Sequence, residues 1–126
     1  MRPILTSDQF VAGILSVLAL RKNTHFVFAE TEIDARFQSA FEELCRRESE
    51  LSIQPNFTFY VDPIHNDSTA LRDTLLAARD KELITINNPT FRTFDIKVDE
   101  QRANRYLERN PLPRGFLEEL VEKYFS

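Results

Sequence analysis

The greatest chemical variety in the chain lies in one short run, Asp62-Pro63-Ile64-His65-Asn66-Asp67. An imidazole between two carboxylates can serve as an acid/base group or a metal ligand. The run falls between an expected strand and an expected helix, a place where catalytic groups often sit. It lacks a nucleophile and any second convergent ligand. A simpler reading accounts for the same residues: Pro63 ends a strand, Asp67 caps a helix and His65 belongs to the loop between them. His25, the other histidine, lies 40 positions away among aromatic residues and reads as a core or rim position. Cys45 is the single cysteine, so no internal disulfide can form. Together with the two histidines it lacks zinc-type spacing. It borders an apolar helical stripe and reads as a small buried hydrophobe. Only two glycines occur, Gly13 and Gly115, which excludes glycine-rich phosphate loops. The expectation is a protein that is not an enzyme and holds neither cofactor nor metal.

The elements that must position these residues follow from periodicity and capping. Thr6 and Gln9 have the spacing of a capping box and open a helix over 7–22. The apolar run from Phe10 to Leu20 is 11 residues long, too short to cross a bilayer, and reads as a core helix. Phe26-Val27-Phe28 reads as an extended connector. A second helix is expected from Thr31 to Glu48, with Ile33, Phe37, Phe41 and Leu44 as its buried stripe. Glu32 and Asp34 suit its first turn. The alternating segment from Phe57 to Val61 reads as a strand. A third helix follows over 68–81, with Leu71, Leu75 and Ala78 toward the core. Leu83 to Ile86, a turn at Asn87 to Thr90, and Phe91 to Val98 read as an antiparallel hairpin. On its return strand Phe94, Ile96 and Val98 share one face, while Thr93, Asp95 and Lys97 share the other. A fourth helix runs from Asp99 to Asn110. A fifth follows Pro111 and Pro113, and its stripe of Phe116, Leu117, Leu120, Val121, Tyr124 and Phe125 makes the tail structural.

The expectation is therefore one α+β domain over residues 1–126, with about five helices, a small antiparallel hairpin and one additional short strand. The single cysteine suits a reducing, cytoplasmic compartment, the short apolar run points to no membrane partner, and the net charge of −4 is ordinary for solubility and argues against a general polyanion binder. Charge is unevenly placed, however. Residues 92–114 hold six basic and four acidic side chains, a local +2.

The third helix (TALRDTLLAARDK), the strand LITI and the return strand FRTFDIKV together resemble a winged-helix domain over about residues 6–98. Residues 99–126 would be a helical extension. That resemblance implies a recognition helix at the third helix, a wing tip at Asn87 to Arg92, and duplex DNA as partner. The residues it would use are Thr69, Arg72 and Arg79 on the recognition helix, with Arg92 and Lys97 on the wing. The fourth helix adds an arginine stripe, Arg102, Arg105 and Arg109. Arg72 and Arg79 lie seven apart and are expected to share a face. Arg105 and Glu108 have the spacing of an ion pair. The chain departs from the family pattern in the long aromatic connection before the third helix and in that helix's mixed charge. The alternative is a protein-interaction module or subunit, a homodimer included, using exposed aromatics among Phe26, Phe28, Tyr60 and Tyr124. The acidic pairs Glu42-Glu43 and Glu118-Glu119 lie on helix surfaces and read as solubility charges rather than catalytic groups.

Overall fold

The structure, a computed structural model, describes residues 3–27, 32–57, 69–86 and 93–125, without the side chains of Glu32 and Thr69. The expected strand beyond Phe57, the Asp62 to Asp67 run with His65, the turn and wing tip at 87–92 with Arg92, and the aromatics Phe28 and Tyr60 lie outside the described residues.

The central element is α1, Ser7–Leu20. Its start is the expected capping box: the Thr6 hydroxyl accepts from the Gln9 amide at 3.2 Å, and the Gln9 side chain accepts from the Thr6 amide at 3.0 Å. From Phe10 to Ala19 every side chain except Ala12 is buried, so the helix is apolar all round because it is enclosed all round. Ser16 is accommodated there because its hydroxyl donates back to the Ala12 carbonyl at 2.7 Å. The helices packed on α1 are α4 (Thr69–Asp80), α5 (Glu100–Arg109) and α6 (Arg114–Tyr124).

Opposite them, α2 (Glu32–Arg46) buries Ile33, Phe37, Ala40 and Leu44 and packs on α6. The rings of Phe37 and Phe125 meet edge to face at 4.9 Å. A short α3, Glu48–Leu51, follows α2, so the described residues hold six helices where five were expected. Three helix ends turn through the left-handed region on non-glycine residues: Lys22, Ser52 and Glu82. At each, the next amide reaches back to the helix, as in Leu83 N–H to the Ala78 carbonyl at 2.9 Å. Buried Ile53 and Leu83 then seal two of these ends.

Two small sheets complete the fold. Strand β1 (Ile4–Leu5) pairs in parallel with β3 (Gln54–Pro55), an arrangement not anticipated from the sequence. The larger sheet is antiparallel, in the order β2 (His25–Val27), β5 (Thr93–Ile96), β4 (Ile84–Ile86). Thus the segment read as a connector is a strand. Phe94 on the central strand lies opposite both Phe26 and Ile86, and the Phe26 and Phe94 rings stack at 5.4 Å. Phe94, Ile96 and Val98 are buried and Thr93, Asp95 and Lys97 face outward, as the alternation requires. Phe26, expected as an exposed aromatic, is buried because this pairing turns it inward. One hydrophobic core runs from Leu5 to Phe125 and draws on β1, the antiparallel sheet and every described helix except α3, whose Leu51 packs against it half-buried. No helix among the described residues is long and apolar enough to cross a membrane.

Candidate nucleic-acid interface

The arginines of α4 do not act together. Arg72 turns toward α2, where its Nε and Nη2 donate to the Asp34 carboxylate at 3.1 and 2.6 Å. Asp34 is fully buried. A bidentate guanidinium is the partner a buried carboxylate requires, since an unpaired one would bear a large desolvation cost. Arg79, two turns further on, is exposed and lies 3.4 Å from its neighbour Asp80. The outward face of α4 therefore consists of Ala70, Asp73, Leu76, Arg79 and Asp80. Thr69 opens α4, and Arg92 lies outside the described residues.

The cations that do converge lie around the end of α4 and along α5. Asp99 caps α5, its carboxylate accepting from the Arg102 amide at 2.8 Å, and this sets the direction of the arginine stripe. The Arg102 guanidinium donates to the Lys81 and Glu82 carbonyls at 3.2 and 3.4 Å, at the negative end of α4. It stands between two concavities. One, beside edge strand β4, is lined by Arg79, Lys97 and Arg102 together with Glu82. The other is lined by Arg102, Arg105, Tyr106 and Arg109. Arg105 and Arg109 are exposed and make no hydrogen bond or ion pair among the described residues. The expected Arg105–Glu108 pair is thus not formed. Five cations line these two adjoining concavities, with Glu82 inside the first and Asp80 beside Arg79.

His25 pairs across the sheet with Asp95, Nδ1 to Oδ1 at 2.9 Å, with both side chains exposed. Cys45 is exposed, which corrects its expected burial. Its thiol is pushed up by partial desolvation and by Glu48 and Glu42, the opposite of what activates a nucleophile. No cluster of three His, Cys, Asp or Glu side chains among the described residues could hold a metal ion.

The acidic pairs also do more than confer solubility. Glu43 accepts from the Tyr124 hydroxyl at 2.9 Å and from Lys123 at 3.3 Å, joining α2 to the end of α6. These contacts, the phenol above all, hold its carboxyl below the usual range against the opposing effect of desolvation. Tyr124 is half-buried and its phenol is pushed up, first by desolvation and then by that hydrogen bond. Glu119 pairs with Arg47, whose guanidinium lies 4.8 Å over the Phe116 ring, and Glu118 pairs with Arg114 at 3.0 Å.

Asp34 is the residue that sequence reasoning missed. It had been assigned to the helix dipole, yet it flanks the buried stripe one position after Ile33. A carboxylate there is a signal that a cation must come from elsewhere. No protein-family model, curated protein or solved structure matches the chain.

Proposed function

We propose that this is a non-enzymatic, winged-helix-like domain that grips duplex DNA along its phosphate backbone. Support for the fold reading comes from a hairpin that follows directly on α4, in a small antiparallel sheet packed with the helices around one core. The observation that carries the DNA reading is the surface tract Arg79, Lys97, Arg102, Arg105 and Arg109, exposed throughout except at half-buried Arg102. Its last two guanidinium groups lack carboxylate partners among the described residues. Exposed cations in a row are what counterion release from a polyanion requires. On this reading α5 and the end of α4 make the contacts, and Arg72 supports the fold. The lone Cys45 suits a reducing cytoplasm.

The second reading is a protein-interaction module. It is favoured by the outward face of α4, where Leu76 is 39% exposed between Asp73 and Asp80. The two readings separate in a fluorescence-anisotropy titration with mixed-sequence duplex across a salt series. Five phosphate contacts predict a log–log slope of about −4.5. Arg105→Ala and Arg109→Ala should each make the slope shallower by about 1. Absence of binding at low salt would overturn the DNA reading in favour of a protein partner, and measuring mass in the same samples shows whether that partner is a second copy.

A further inference from the structure

Between α1, α4 and α5 lies a cleft of about 180 Å³. Val11, Ala78 and Leu83 form its buried apolar floor, with Ala12 and Tyr106 at its sides. Two of the polar groups that reach it are already engaged within the fold. The Thr74 hydroxyl donates to the Ala70 carbonyl at 2.8 Å. The Asn110 amide donates to the Gln9 carbonyl at 2.8 Å, and its oxygen accepts from the Leu112 amide at 2.9 Å. Charge appears only at the rim. Lys81 and Arg109 are exposed there, and Asp8 lies 3.7 Å from Lys81. Two cations against one carboxylate leave one positive charge over. Arg109 and the Tyr106 hydroxyl make no hydrogen bond among the described residues.

We infer that this cleft binds a small carboxylate with a compact, branched aliphatic body. The volume of about 180 Å³ corresponds to about six waters at roughly 30 Å³ each. It lies below the roughly 300–1,000 Å³ of sites for drug-sized ligands. The floor offers no unsatisfied donor or acceptor, so a hydroxylated body would lose its hydrogen bonds to water without replacement. An aliphatic body loses nothing there and sheds water. Its anionic end meets Lys81 and Arg109 at the mouth through charge-assisted hydrogen bonds, whereas an ammonium would meet the excess positive charge.

The test is saturation-transfer NMR and calorimetry on the whole chain with 3-methylbutanoate. The neutral 3-methylbutanamide and the cationic 3-methylbutylamine serve as isosteres. The acid should bind saturably at millimolar concentration, the amide about tenfold more weakly, and the amine not at all. Lys81→Gln and Arg109→Gln alter exposed heads and should melt like the parent while weakening the acid about five- to tenfold each. Ala12→Leu should fill the cleft and abolish binding. Should that variant fail to fold, the two rim variants decide the matter. The inference is overturned if the acid does not saturate, if the amide binds as tightly as the acid, or if both rim variants bind like the parent. None of these measurements involves DNA.

Discussion

Arg72→Met should destabilise the fold by about 3 kcal/mol. Methionine keeps a long apolar stem and removes the two guanidinium donors that Arg72 gives to Asp34. The carboxylate left behind is 0% exposed and loses hydrogen bonds of 3.1 and 2.6 Å. A hydrogen bond to a charged group is worth about 1.5–3 kcal/mol, and breaking one side of a buried ion pair costs about 3–5 kcal/mol. The Arg72 side chain is itself 29% exposed, so water already shares its head and the lower end of that range applies. For a chain of this length the loss is a fall of roughly 10 °C in Tm. The assay is thermal and urea unfolding followed by circular dichroism, as a double-mutant cycle with Asp34→Leu. Removing the buried charge together with its partner should recover at least about 2 kcal/mol relative to Arg72→Met alone. A single variant that melts within about 2 °C of the parent would refute the reasoning, and so would a double variant no more stable than Arg72→Met.

Three further outcomes follow from the packing. Gly13→Ala should destabilise by about 1–3 kcal/mol despite a gain of about 1 kcal/mol in helix propensity. The added Cβ would sit 2.8 Å from Asn110 Nδ2 and 3.0 Å from a Leu117 methyl, and Asn110 is anchored at both ends; a raised Tm would contradict this. Because the Glu43 carboxyl is held low in the fold, its contribution is complete above the ordinary carboxylate range and is lost as pH falls through the lowered value. Glu43→Gln should therefore be less stable than the parent at neutral pH, with the gap closing as pH falls below the ordinary carboxylate range and shrinking in a Tyr124→Phe background; a gap independent of pH is the contrary result. Arg102→Gln should lose about 0.5–1 kcal/mol of stability, from its contacts to the end of α4, as well as tract charge. Unfolding curves and the anisotropy salt slope read the two effects separately.

Local order was legible wherever a short-range rule decided it. The Thr6–Gln9 box, the Asp99 cap, the alternation at Phe94, Ile96 and Val98, and the apolar stripe from Phe116 to Phe125 each depend on neighbours within one or two turns. The failures share a cause in long-range pairing. Strand β2 is only three residues long, and its partner β5 is about seventy positions away. The β1–β3 pair couples residues fifty positions apart. Cys45 was misplaced because the stripe of α2 turns through Phe37, Ala40 and Leu44, leaving position 45 on the solvent side.

The candidate site failed in the sequence for the same reason, and the direction of the failure matters. Arg72 looked available because its partner lies 38 positions away, and Arg105 looked paired because Glu108 lies within reach on its own helix. The fold reverses both assignments. It withdraws Arg72 from the surface of α4 and leaves the free positive charge mostly on α5, where a phosphate backbone can be met. On the outward face of α4, Ala70, Asp73 and Leu76 offer no fork of donors for a guanine or adenine edge, and the one guanidinium there, Arg79, lies in the last turn beside Asp80. Phosphate contacts position a protein without carrying sequence information. The DNA reading therefore predicts near-equal affinities for unrelated duplexes of one length, measured by competition at fixed salt. A preference of more than about a hundredfold for one sequence would contradict a backbone grip through this tract.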